Sequence, residues 1–289
     1  MSLQYEVVVS PMERLPEAAG LQPPVGPPAA WSPLSSTLIY GATELVLTDP
    51  PITTGQAERV ADRVAATGRE LAAIYVTHGH GDHWFGTAVL LRRFPGATVY
   101  ATEGVIAQMR RASPDGRPSP LFAALFPGQI AETPVVARPV PEGGILIDGE
   151  VLRVIEVGHS DTDDSTVLHV PSIDLVVAGD VIYNNVHQFL AESAGGGLEA
   201  WLRAVDEVEA LRPLHVVAGH KDDRRPDDPA IVAETRAYLE VAGELLATGP
   251  SRRGYLDGLL ARFPDRLNPT MAWLSALRLL PDGDATPTS

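Results

Sequence analysis

Short apolar runs rich in β-branched residues recur from residue 36 onward, at 37–40, 44–48, 72–77, 97–101, 151–157, 166–170, 175–178 and 214–218. Their lengths and residue types predict β-strands. Other stretches follow helical spacing. Ala57, Val60, Ala61, Val64 and Ala65 make one apolar face, and Leu198, Trp201, Leu202, Val205, Val208 and Leu211 make a second. Residues 229–247 form a third candidate helix, with Pro229 near its start, where a missing N–H costs nothing. Strands and helices mixed over the whole length predict a layered α/β or α+β domain.

Residues 11–33 hold seven prolines and few periodic apolar positions, which predicts an extended surface arm. The expected organisation is therefore a Pro-rich N-terminal arm over 1–35, packed on a single domain over 36–289. Within that domain, residues 104–144 are less regular. The pair Arg110-Arg111, a Ser-Pro-Asp-Gly turn at 113–116 and an apolar cluster at 121–126 suggest short helices that could cap a pocket or simply cover the core. Residues 228–281 carry the C-terminal helices, whose Phe263, Met271, Trp273 and Leu277 are expected to dock on the core.

Composition narrows the function classes. With 289 residues, 45% apolar and 20% charged, the chain can bury a full core. Its net charge of −15 argues against nucleic acid, where affinity comes mainly from Lys and Arg. The absence of cysteine excludes disulfides, thiolate metal sites, iron–sulfur clusters and a Cys nucleophile. Residues 1–10 lack a basic start and an apolar core, and no run of about 18 apolar residues appears. A soluble cytoplasmic protein acting on a small molecule, without membrane or nucleic-acid partner, is expected; oligomeric state has no signature in the sequence.

The richest segment is Thr77-His78-Gly79-His80-Gly81-Asp82-His83, directly after an apolar run and just before residues 85–94, which read as a helix. Without thiolates, imidazole and carboxylate are the ligands zinc prefers. In extended backbone His78 and His80 share a side, and Asp82 and His83 would turn back toward the same centre at the helix start. Two pairs at this spacing suit two adjacent metals. Three further candidates share one layout of β-run, glycine, then ligand-type residue: His159 after Gly158, Asp180 after Gly179 and His220 after Gly219. Glycine lets backbone approach a crowded site, and functional loops gather at the C-terminal ends of strands.

These motifs, in this order, resemble those of the metallo-β-lactamase superfamily, from residue 36 to about 220. The resemblance implies an α+β fold, a four-layered αββα sandwich, holding two zinc ions, with iron or manganese as alternatives. It implies that His78, His80 and His159 bind the first zinc, that Asp82, His83 and His220 bind the second, and that Asp180 bridges them. Asp49 would orient a ligand histidine from behind. Aspartate at 180, where common lactamases carry Cys, resembles lactonases, glyoxalase II-like thioesterases and phosphodiesterases. His80 stands where flavodiiron oxidoreductases carry Glu. The segment Ser160-Asp161-Thr162-Asp163-Asp164 replaces the Pro-Gly turn common among the thioesterases.

The implied chemistry is hydrolysis. Two zincs about 3.5–4 Å apart hold a bridging hydroxide near neutral pH, which attacks a carbonyl of an ester, lactone, thioester or amide. Asp82 and Asp180 offset the metal charge and could accept or pass the proton. Tyr183, three residues after Asp180 at a spacing similar to that of quorum-quenching lactonases, would contact the substrate carbonyl. Alternatives on the same scaffold are a biosynthetic cyclase or thioesterase and an iron-dependent oxidoreductase. His187 could face the metals, and Lys221 could hold a substrate carboxylate.

Overall fold

In the computed structural model, which describes residues 2–281, two β-sheets face each other and helices cover both outer faces. The first sheet runs in the spatial order Gln4–Ser10, Leu34–Tyr40, Glu44–Thr48, Glu70–Tyr75, Thr98–Ala101, Arg138–Pro139. The second runs His215–Val217, Leu175–Val177, Ser165–Val170, Glu150–Gly158, Ile145–Ile147. Its first pair is parallel and the others antiparallel.

The near-continuous apolar runs follow from burial on both faces. Along Glu44–Thr48, Leu45 and Leu47 point to the helices Thr54–Ala66, Thr87–Arg93 and Glu103–Ala112, while Val46 enters the space between the sheets. Ile74 and Tyr75 divide in the same way. Ile39, Val46, Tyr75, Leu152, Leu168 and Val177 fill the inter-sheet layer. On the far side, the second sheet packs against Gly197–Ala210 and Ala230–Ala247, and against the pair Arg252–Arg262 and Pro269–Leu279. The result is helix, sheet, sheet, helix. Among the described residues, no helix is long and apolar enough to cross a membrane.

Two N-terminal features differ from the expected arm. Gln4–Ser10 is an edge strand, paired antiparallel with Leu34–Tyr40 from Gln4↔Tyr40 to Ser10↔Leu34. Only half-buried, this short run lacks the apolar density of the inner strands. The Pro-rich stretch is not simply extended: it makes a 3-10 turn at Glu17–Ala19, pairs Glu13–Arg14 with Ala30–Trp31, and delivers Trp31 and Ser32 to the functional cleft. Residues 104–144 do form short helices, Glu103–Ala112 and Pro120–Leu125.

His187 belongs to the core. Its Nδ1 lies 3.0 Å from the Tyr238 hydroxyl, and burial, with Arg266 adding to it, pushes its pKa down to about 3. The folded state thus keeps His187 neutral, while the unfolded chain protonates it below about pH 6.5. As pH falls from there toward 3, this residue should remove about 1.4 kcal/mol of stability per unit. Urea unfolding with chelator present should show His187→Gln flattening the acid slope by that amount; an unchanged slope would mean that His187 is charged in the fold.

Candidate metal centre

The site lies where strands of both sheets end. The strand Glu70–Tyr75 leads through Val76 and Thr77 into His78, and a single 3-10 turn, Gly81–His83, swings Asp82 and His83 inward. In the second sheet, Leu175–Val177 and His215–Val217 run parallel side by side, so Asp180 and His220 emerge together beyond them. Gly219 is required by contact: a Cβ there would overlap Asp180 Oδ1 and lie 2.8 Å from the Gly179 carbonyl carbon.

Three overlapping groups have ligand atoms within 4.8 Å of one another: His78, His80 and Asp161; His78, His83 and Asp180; and Asp82, His83 and His220. His83 Nε2 lies 3.2 Å from Asp180 Oδ1 and 3.7 Å from Asp82 Oδ2. His220 Nε2 lies 3.0 Å from Asp180 Oδ2 and 3.5 Å from Asp82 Oδ2. Yet His78 Nε2, both ring nitrogens of His83, His159 Nε2, Asp161 Oδ2 and Asp180 Oδ1 are buried without a hydrogen-bond partner. Buried polar atoms are rarely left so, and this many in one place point at something other than each other. Nitrogen and carboxylate lone pairs converging at these distances fit divalent cations.

Other residues fix the orientation of these groups. Asp49, at φ 45°, accepts from the Thr77 N–H and the Thr77 hydroxyl, both at 2.9 Å, and its Oδ2 is 3.4 Å from His83 Nδ1. Asp49 thus fixes the backbone leading into His78 and lies beside the His83 ring. His220 Nδ1–H donates to the Pro33 carbonyl at 2.8 Å, which leaves Nε2 to face the site. The Trp31 indole N–H donates to Asp82 Oδ2 at 2.8 Å. His80 Nε2 is 3.1 Å from Glu192 Oε1.

The electrostatics agree. Burial works against charge on His80, but Asp161 and Glu192 outweigh it and hold its pKa well above the ordinary value. Burial is likewise outweighed at His83, by Asp180 and Asp82. Asp180 sits well below the usual carboxylate range despite burial, because His220 and His83 face it. The field between these groups favours positive charge.

The structure brings His78, His80, Asp82, His83, Asp180 and His220 together in these groups. His159 lies outside the three groups; its Nδ1 is 2.7 Å from Asp163 Oδ1, while its Nε2 is buried without a hydrogen-bond partner, and Asp161 stands beside His78 and His80. Sequence reasoning also missed Trp31 and Glu192, which belong to no metal-ligand pattern and reach the site only through the fold. Lys221 is buried and ion-paired with Asp227, which removes it as a substrate anchor.

Tyr183 is fully buried, and its hydroxyl donates to Asp180 Oδ2 at 2.7 Å. The bond orients that carboxylate, and Tyr183 also lines the cleft above the centre. Tyr183→Phe would strip a buried charged acceptor of one bond, a loss of about 1–3 kcal/mol. Expected is about a tenfold or larger fall in metal affinity, read by chelator competition. Unaltered metal affinity with a slower turnover would support the substrate-contacting role.

Above the centre opens a cleft of about 170 Å³. Its walls are Trp31, Leu121, Phe122, Phe189 and Met271, with Glu192 and Arg278 among the polar lining. Leu121 and Phe122 come from the Pro120–Leu125 helix, so the irregular segment does line the pocket.

A family model described as the metallo-beta-lactamase superfamily matches residues 30–220. The chain belongs to this superfamily. A protein of Bacteroides fragilis named metallo-beta-lactamase type 2 is 22% identical over 199 residues, 66% of this chain and 70% of its own length. A hydroxyacylglutathione hydrolase of Synechococcus sp. (strain JA-3-3Ab) is 49% identical, but over 47 residues, 16% of this chain and 19% of that protein. Among solved structures, a metallo-beta-lactamase from Pontibacter korlensis superposes with a TM-score of 0.59 at 16% identity, covering 83% of this chain and 95% of that one. A metallo-beta-lactamase from Hirschia baltica gives 0.55 at 18%, covering 82% and 93%. At such identities the structural likeness speaks for the fold.

Proposed function

We propose that the chain is a dizinc hydrolase that cleaves an ester, lactone, thioester or amide of a small apolar molecule. The observation that carries this is the convergence of unpartnered, buried imidazole and carboxylate atoms at the floor of a mostly apolar cleft. When bound, a divalent metal pair supplies an acidified water as nucleophile and polarises a carbonyl oxygen. The residues of the chain do the rest. His78, His80, Asp82, His83, His159, Asp180 and His220 would hold the metals. Asp180 Oδ1, without a hydrogen-bond partner, would face the metals as an ionised carboxylate oxygen while Tyr183 holds Oδ2 in place. Trp31, Phe122, Phe189 and Met271 exclude water and seat an apolar acyl chain. The similarity to a hydroxyacylglutathione hydrolase and to a lactamase supports hydrolysis as the reaction class.

The test is metal content per chain by elemental mass spectrometry, followed by a panel of lactones, esters, thioesters and β-lactams with and without chelator. Two zincs and chelator-sensitive cleavage of one substrate class are expected. One iron per chain with no hydrolysis would instead support the oxidoreductase alternative and overturn the proposal.

A further inference from the structure

Resting on the dinuclear reading, we infer that the segment 30–33, held by Asn268, sets the affinity of the metal position formed by Asp82, His83 and His220 and leaves the other position untouched. Trp31 is the positioning residue of this segment. Its indole N–H donates to Asp82 Oδ2 at 2.8 Å. Just beyond it, the Pro33 carbonyl accepts from His220 Nδ1–H at 2.8 Å. Asp82 and His220 belong, with His83, to one compact ligand group. A bound N–H keeps the carboxylate from rotating, and a bound Nδ1–H fixes the imidazole tautomer with Nε2 toward the site. His83, the third member, is held by its burial within the turn Gly81–His83.

The other imidazoles draw their support elsewhere. His78 Nδ1 lies 3.1 Å from the Thr77 hydroxyl, His80 Nε2 lies 3.1 Å from Glu192 Oε1, and His159 Nδ1 lies 2.7 Å from Asp163 Oδ1. Among the described residues, no hydrogen bond joins 30–33 to any of these three rings. The segment does not hold itself in place, since Ala30–Trp31 pairs with nothing longer than Glu13–Arg14. Its anchor is the start of the last helix, Pro269–Leu279. The Asn268 amide donates to the Ala30 carbonyl at 3.1 Å and to the Ser32 hydroxyl at 2.9 Å, and the Thr270 hydroxyl accepts from the Ala30 N–H at 3.2 Å. Asn268 sits at φ 59°, which asparagine tolerates better than most residues. Leu267, just before it, is stitched to the loop beyond Asp180: its N–H donates to the Asn185 carbonyl and its carbonyl accepts from the His187 N–H, both at 2.9 Å. Trp31 also rests edge-on against Phe122 and Phe126, with ring centres 5.9 and 5.6 Å away. The arm and the last helix thus brace one half of the centre only.

The experiment titrates chelator-stripped full-length protein with zinc chloride against a chromophoric chelator and counts zinc per chain. Wild type should bind two. Trp31→Phe keeps an aromatic ring against Phe122 and Phe126 but loses the donor. It should bind one ion as wild type does and the other about tenfold to a hundredfold more weakly. Asn268→Gly, which accepts the positive φ, should weaken the same ion. The double variant should fall short of the product of the two effects, because Asn268 acts through the segment that carries Trp31. Two backgrounds tell the positions apart. In His80→Ala, adding Trp31→Phe should still weaken the remaining ion by about tenfold or more, and in His220→Ala it should change nothing. Equal weakening of both ions by Trp31→Phe, weakening of neither, or a loss that appears in His220→Ala would overturn the inference. A double variant that reached the full product would overturn the part assigned to Asn268. Thermal unfolding of each stripped variant establishes that it folds, and Asn268→Gly decides if Trp31→Phe does not. Fewer than two zincs in wild type would sink the dinuclear reading itself, and this inference with it.

Discussion

Asp180→Ala is expected to reduce bound metal from two to about one per chain and to cut turnover by about a hundredfold to a thousandfold. Among the described residues, Asp180 is the one carboxylate that approaches both His78 and His220. Its Oδ1 lies 3.2 Å from His83 Nε2, its Oδ2 lies 3.0 Å from His220 Nε2, and it shares a compact group with His78. Removing it takes away a shared donor and a negative charge from a centre where cations are to be held close together. His83 and His220, whose pKa values Asp180 helps to raise, would also lose their main attraction for positive charge. Elemental analysis and hydrolysis of the substrate found by the panel check both parts. A variant that kept two metals and most of its rate would show that Asp180 is not shared between them.

The second large effect is expected from the smallest substitution. Gly219→Ala places a Cβ into Asp180 Oδ1, 2.8 Å from the Gly179 carbonyl carbon and 3.0 Å from its oxygen. Backbone cannot yield easily there. The Gly219 N–H donates to the Gly179 carbonyl at 2.7 Å, and its own carbonyl accepts from Ser35 at 2.8 Å. Asp180 must therefore move, or the two strand ends must part. Expected is a loss of roughly tenfold to a hundredfold or more in metal affinity, and about 1–3 kcal/mol of stability from overpacking. Metal titration and thermal unfolding of the stripped protein measure the two separately. Wild-type values for both would mean that the loop relaxes without strain.

Much of this molecule was legible from residue order alone. Strands such as Glu44–Thr48 could be read because apolar residues on successive positions mark burial on both faces, and helices such as Gly197–Ala210 because their apolar stripe has a period of 3.6. The cluster 78–83 was readable because it is local: a strand end and one 3-10 turn carry its four ligand-type side chains within six residues. Gly179 and Gly219 were likewise informative, since a close backbone approach leaves room for no other residue.

What the sequence could not decide depends on register and on distant chain. Trp31 bonds to Asp82 across 51 positions, and Glu192 meets His80 across 112. Such contacts have no periodicity to betray them, because they arise where loops from separate layers happen to converge. The amino-acid sequence by itself determined the layers and the chemistry of the ligand-type residues; only the tertiary structure decided which of those residues face one another, because that choice is made by pairing register and loop closure rather than by residue type.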